Sequence, residues 1–294
     1  MKGSGNGAAV NSILLRRSIR RWFPVFLLPM VAAFCIGFVW PFLQGLFLSF
    51  CKFKTTSKWS WVGFSNYVKA IQDDSFMYSF GYTAIFALIS LVLINVLAFA
   101  VAYALTQKIK GSNLFRTVFF MPNLIGGIVL GWIWNLLLTG ILDKFGRTLV
   151  YSEAYGFWGL TVLMLWQQAV YMMIIYIAGL QSIPDDLIEA ASIDGATPLQ
   201  TLFKIKIPMV MPSITICTFL TLTNSFKLFD QNLALLSAES SGKLKLLALD
   251  IYETFYGRNG WEGAGQAKAV VFTIIVALIA MVQMRLTNRK EVQQ

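Results

Sequence analysis

Two groups of polar side chains recur at one spacing inside apolar stretches: Gln167, Gln168 and Tyr171, then Thr223, Asn224 and Lys227, each at i, i+1 and i+4. On a helix that spacing puts each trio on one face. Amides and hydroxyls donate and accept hydrogen bonds, and an aromatic ring offers a flat apolar surface. The combination suits a sugar, whose rim is hydroxyl and whose face is C–H. Interhelical hydrogen bonding, worth about 0.6 kcal/mol per bond on average, is the other use of such groups inside a membrane. Lys227 and Asp230, three apart, can also pair with each other.

A third stretch, 183–208, lies between two long apolar runs and carries four carboxylates, Asp185, Asp186, Glu189 and Asp194. It reads as two short helices. Pro184 stands at the start of the first, with Asp185 and Asp186 in the opening turn where they favour the helix dipole. Asp194-Gly195 is a stop signal. Thr197 can cap the second helix, with Pro198 at its first position, and Pro208 limits it. Ala190 and Ala191 permit a close approach by another surface, and Glu189 offers a charge to a fixed cation. The same face could instead pack beneath its own bundle.

Several chemistries are excluded. The chain has no histidine, so serine and cysteine triads and imidazole zinc sites are absent. Cys35, Cys51 and Cys217 are odd in number and far apart, which sets no disulfide framework. No GxxxxGK[ST] phosphate loop occurs, so ATP is not handled by that route. A membrane transferase would need a carboxylate cluster at one face. Asp185, Asp186, Glu189 and Asp194 are explained more simply by helix starts and a turn. A secondary transporter predicts internal repeats and intramembrane carboxylates, and Asp230 is the single acidic candidate.

The elements that must position these residues are membrane helices. The chain is 57% hydrophobic and 13% charged, whereas a soluble domain carries about 25% charged residues. Six spans are expected, near 22–50, 80–105, 118–138, 157–180, 209–233 and 264–286. Pro24, Pro29 and Pro41 are tolerated in the first, and Gly126, Gly127 and Gly131 permit close helix approach in the third. Residues 1–12 read as a disordered tail, the tails span 1–21 and 287–294, and no linker divides the region 22–286.

The net charge of +10 is distributed as a membrane orientation signal rather than a nucleic-acid surface. Lys2, Arg16, Arg17, Arg20 and Arg21 precede the first span. Lys108, Lys110 and Arg116, then Lys204 and Lys206, then Arg285, Arg289 and Lys290 follow on the same side after even numbers of crossings. The bias puts both termini in the cytoplasm.

The spacing of Glu189-Ala190-Ala191, Gly195 and Ile205-Lys206-Ile207-Pro208 resembles the signature loop of binding-protein-dependent ABC importer permeases, with Ile207 where the family has leucine. The segments 178–184 and 193–196, Trp61-Val62-Gly63, Asn66-Tyr67 and Lys227-Phe229-Asp230 are similar to the carbohydrate, maltose-permease-like branch. The segment 237–241 departs from it, with Ser-Ala-Glu-Ser-Ser where relatives have Gly-Gly-Pro.

The resemblance implies an all-α, six-span type I permease fold in a bacterial inner membrane, serving sugar uptake without enzymatic activity of its own. It implies a second, different permease subunit (a heterodimer), a pair of ATPase subunits that bind ATP and magnesium, an extracytoplasmic solute-binding protein and a sugar substrate, with no cofactor in this chain. It assigns Glu189, Ala190, Ala191, Asp194, Gly195, Ile205 and Pro208 to ATPase coupling. The sugar-contacting positions fall on Met164, Gln167, Gln168, Tyr171, Leu220, Thr223, Asn224 and Lys227, of which Tyr171 and Asn224 keep the residue type.

Overall fold

The computed structural model describes residues 23–107, 111–149, 151–236 and 244–288. The basic residues Lys2, Arg16, Arg17, Arg20, Arg21, Lys108, Lys110, Arg289 and Lys290, the tail 1–21, residues 289–294 of the other tail and the segment 237–241 lie outside the described residues.

The chain runs through a first long helix α1 (Phe23–Leu48), a hairpin of β1 (Cys51–Thr55) and β2 (Lys58–Trp61), and short helix α2 (Ser65–Ile71). Helices α3 (Asp74–Leu105), α4 (Ser112–Phe120), α5 (Gly127–Asp143) and α6 (Glu153–Gln181) follow. Next come α7 (Asp185–Ile193), α8 (Pro198–Met209), α9 (Met211–Phe226) and α10 (Asp230–Leu236). The last two are α11 (Leu247–Gly257) and α12 (Glu262–Asn288).

The core forms where α3, α6 and α9 meet. On α3, Thr83, Phe86, Ser90, Ile94, Ala98 and Ala102 recur at three- and four-residue steps and are buried. The small residues among them admit α6 closely, and Phe86 and Ile94 join Leu163, Met164, Met173 and Tyr176 in one cluster. A polar thread ties the three helices: the Tyr176 hydroxyl donates to Asn95 Oδ1 at 2.8 Å, and Asn95 Nδ2 donates to Thr221 Oγ1 at 3.2 Å.

Among the described residues four helices, α1, α3, α6 and α12, are long and apolar enough to cross a bilayer. The α8–α9 pair, bent by 69°, makes a fifth if it counts as one span, and α5 is a shorter apolar helix. Three expectations need correction. The chain is mostly helical rather than all-α, because residues 51–61 alternate and pair as an antiparallel hairpin. The third expected span is divided: Pro122 lacks an N–H to continue the ladder, a 3₁₀ turn covers Met121–Leu124, and α5 restarts at Gly127. The fifth expected span stops at Phe226, and α10 turns away to lie on α5.

That last packing explains two glycines. A Cβ on Gly127 would come within 2.7 Å of the Asp230 Cβ, and one on Gly131 within 2.6 Å of the Ala234 Cβ. The Gly-x-x-x-Gly face therefore lets α10 touch the α5 backbone, and Asn135 Nδ2 completes the seam by donating to the Leu235 carbonyl at 2.6 Å.

Candidate functional site

Three places on this scaffold bring chemistry-bearing side chains together. The first is the turn between α7 and α8. Asp185 and Asp186 occupy the first turn of α7. Its end is a complete Schellman motif: Ala196 N–H donates to the Ala191 carbonyl at 2.9 Å, and Gly195 N–H to the Ser192 carbonyl at 3.1 Å. Gly195 sits at φ +76°, the left-handed region this motif requires. Two residues on, Thr197 forms a capping box with Gln200, at 3.3 Å to the Gln200 amide and 2.8 Å in return.

Pro208 does not end α8, contrary to the sequence reading. The helix loosens into a π turn over Leu202–Lys206, where Ile207 N–H reaches back to the Leu202 carbonyl, and so absorbs the missing proline donor. Helix α8 then continues to Met209 and the 69° bend.

The turn shows two faces. Ile183 and Ala191 are buried against the bundle. Leu187, Ile193 (85% exposed), Leu199 and Phe203 point away from it, beside exposed Glu189, Ala190 and Asp194. Among the described residues Glu189 has no ion-pair partner. Ile205 and Pro208 are half-buried. Four large apolar side chains around one turn form a surface of the kind that partners cover.

The second place is the face shared by α6 and α9. Asn224 Nδ2 donates to Gln168 Oε1 at 3.3 Å, joining the two helices through half-buried amides. Each amide keeps further donors and acceptors beyond that bond. Tyr171 stands exposed one turn along α6, and Lys227 is exposed at the end of α9. Gln167 turns inward, buried, where Gln231 Nε2 donates to its Oε1 at 2.8 Å. Met164 is fully buried and receives the Ser225 hydroxyl at 3.9 Å. The Thr223 hydroxyl bonds the Phe219 carbonyl of its own helix at 2.9 Å, and Leu220 is half-buried. No Lys227–Asp230 ion pair forms among the described residues.

The third place was missed by the sequence reading. Lys268, fully buried on α12, donates to Asp73 Oδ2 at 2.6 Å, Asp250 Oδ2 at 2.8 Å and Thr254 Oγ1 at 2.7 Å. Arg258 reaches the same Asp73 oxygen at 2.9 Å, and the Ser75 hydroxyl donates to Asp250 Oδ1 at 2.5 Å. The cluster locks the start of α3 to α11 and α12. Its signal was available: a lysine inside an expected span is costly unless paired.

Asp73 has a defined pH consequence. Burial pushes its carboxyl up, but the hydrogen-bonded Lys268 ammonium, Arg258 and the Ser75 amide outweigh burial and hold it below the usual carboxylate value. A lowered folded-state value gives stability that is present above the unfolded value, about 3.9, and is lost as pH falls through the folded one. Denaturation in detergent micelles should show the wild type's advantage over Asp73→Asn constant at neutral pH and shrinking below about pH 4. An advantage independent of pH would contradict this.

Comparison with known proteins places this geometry. The family model described as "Binding-protein-dependent transport system inner membrane component" matches residues 110–291. The chain is 36% identical to the probable starch degradation products transport system permease protein AmyD of Thermoanaerobacterium thermosulfurigenes, covering 92% of this chain and 96% of that protein. It is 31% identical to the multiple sugar-binding transport system permease protein MsmF of Streptococcus mutans, covering 92% and 97%. A chain of a bacterial ABC transporter involved in the import of the acidic polysaccharide alginate superposes with a TM-score of 0.79 at 21% identity, covering 94% of this chain and 98% of that one.

Proposed function

This chain belongs to the binding-protein-dependent transport system inner membrane components, and from that premise we propose that it forms half of the translocation path of an ATP-driven oligosaccharide importer. It is a multi-pass permease subunit of a sugar ABC importer rather than an enzyme, and the family description ties it to a solute-binding protein. The curated relatives named for starch degradation products and for multiple sugars support the cargo class.

In this reading the chain crosses the membrane six times with both termini in the cytoplasm. Helices α1, α3, α5, α6, α9 and α12 are the crossings, α5 and α9 being short and continued by broken segments. The partners are a second permease subunit, which helps cover α1, an ATPase pair under the α7–α8 turn, and the binding protein at the opposite face. Glu189 pairs with an ATPase cation. Ala190, Ala191, Asp194 and Gly195 shape the docking turn, and Ile205 and Pro208 lie on the rod leading from it.

The observation that carries the sugar path is the Gln168–Asn224 amide pair beside exposed Tyr171. These three contact sugar, Lys227 and Thr223 flank them, and Gln167 steadies the wall through Gln231. Proteoliposomes holding the complete importer test it with maltotetraose. Uptake should require ATP. Tyr171→Ala and Asn224→Ala should each lower uptake efficiency by about 2- to 12-fold, the worth of one hydrogen bond of 0.5–1.5 kcal/mol. Unchanged affinity and rate in both variants would place the path elsewhere.

A further inference from the structure

The hairpin at the foot of α1 is amphipathic and rigidly seated. Asn66 Nδ2 donates to the Ser49 and Cys51 carbonyls at 2.9 and 2.8 Å, and the Tyr67 and Ser49 hydroxyls lie 2.6 Å apart. Phe53 packs inward against Phe255. These bonds also give a physical use to the Asn66-Tyr67 pair noted in the sequence.

On this fixed base a band of rings faces outward. Trp59 (51% exposed) lies edge-on to Phe47 at 5.0 Å between centroids. Trp61 (60% exposed) stacks on Phe50 at 5.6 Å, and Phe64 (71% exposed) meets Phe50 edge-on at 5.4 Å. Trp61 and Trp59 pair with Cys51 and Phe53 and share their face, alternation sends Lys52 to the opposite one, and Lys54 and Lys58 are exposed at the hairpin tip, where the register shifts. None of these three lysines has an ion-pair partner among the described residues.

Two further observations point to the occupant. The ring band is continuous with α1 through Phe47, and α1 is a candidate span whose most apolar stretch has no buried residue in this chain. The lysines give the hairpin an uncompensated positive charge next to that apolar surface. Tryptophan and lysine together, where an apolar helix ends, match the chemistry of the membrane–water interface: rings at headgroup level, ammonium groups toward phosphate.

We propose that the 51–61 hairpin is an interfacial anchor, with Trp59, Trp61 and Phe64 seated among phospholipid headgroups and Lys52, Lys54 and Lys58 binding the phosphates of anionic lipid. The proposal rests on α1 being a span and is independent of which cargo is carried. Because the hairpin base is bonded to the end of α1 and to α2, the anchor fixes the depth of this corner of the subunit.

The experiment uses the full chain in phosphatidylcholine vesicles, with and without phosphatidylglycerol. The chain holds nine tryptophans, so the signal of interest is the emission difference between wild type and Trp59→Phe/Trp61→Phe, with circular dichroism confirming that both fold. That difference should be quenched more by lipid brominated near the headgroup than by lipid brominated near the chain end, and little by iodide. In a second arm, spin-labelled phosphatidylglycerol should be enriched around the protein over spin-labelled phosphatidylcholine, by up to about fivefold per surface lysine. Lys52→Gln/Lys54→Gln/Lys58→Gln should remove that enrichment. Strong iodide quenching without bromolipid quenching would put the rings in water and overturn the proposal. Loss of bromolipid quenching when the complete importer is assembled would assign the surface to a protein partner and overturn it equally. Lipid enrichment unchanged in the lysine variant would remove the phosphate contact.

Discussion

Replacing Gly195 with aspartate leaves the chain inserted and helical but lowers co-purification of the ATPase subunits and ATP-driven uptake by at least about tenfold, or 1.4 kcal/mol. The reasoning separates two costs. Inside this chain a Cβ at 195 meets nothing within 4 Å, and the backbone stands at φ +76°. The intrinsic cost is therefore left-handed strain alone, about 1–2 kcal/mol and smaller for Asp or Asn, which tolerate that region. A larger loss has to arise outside the chain, on a docked surface that meets the exposed turn. Gly195→Asn separates shape from charge, since it accepts the same backbone without adding a carboxylate beside Asp194. Intermediate coupling in Gly195→Asn and little in Gly195→Asp is expected. Wild-type co-purification and uptake in Gly195→Asp would defeat the coupling assignment.

Lys268→Ala should destabilise the folded chain by about 3–5 kcal/mol, the usual cost of leaving a buried charge without its partner. Asp250 is buried and would keep only the Ser75 hydroxyl, whereas Asp73 would retain Arg258. The matched change Lys268→Met/Asp250→Leu removes both charges of the inner pair and should recover most of that loss, because apolar replacement of a whole buried pair is often neutral or stabilising. Denaturant unfolding in detergent, followed by circular dichroism, reads both variants. A loss under about 1 kcal/mol in the single variant would show that the cluster carries little of the fold.

Local chemistry was legible in the sequence where it acts through near neighbours. Asp185 and Asp186 mark the start of α7, Asp194-Gly195 its end, and Thr197-Pro198 the cap of α8, and all three fall within one turn of the helix end they govern. The capping partner Gln200 lay three residues on and went unread. Long apolar runs located α1, α3, α6 and α12 but could not show where a run breaks. The third and fifth runs divide for different reasons: Pro122 interrupts the third locally, whereas the fifth stops at Phe226 and α10 folds back onto Gly127 and Gly131, a contact between distant segments. The hairpin was legible in principle, because Cys51 and Phe53 alternate with Lys52 and Lys54. It lies just past the expected span 22–50, in a stretch where the sequence reading assigns no element. Lys268 was passed over within an apolar run, although its burial depends on carboxylates far away in sequence.

The same dependence on distant contacts appears at the polar face of α6 and α9. Spacing alone set Gln167 and Gln168 side by side as equals. Packing divides them: Gln231, on the helix that turns back, takes Gln167 into the interior and leaves Gln168 with Asn224 at the accessible surface.

The bend at Val210 has a mechanical meaning. Twelve residues of α8 on one side and sixteen of α9 on the other make arms of about 18 and 24 Å, set at 69° about a buried valine. An elbow of that shape acts as a bell crank when its two arms move as one body. A push on the short arm near Thr197 becomes a swing of the long arm, multiplied by about four-thirds, and the far end of that arm carries Asn224 and Lys227. The ångström-scale travel of a docked surface would thus arrive at the polar face as a sideways displacement slightly larger than itself.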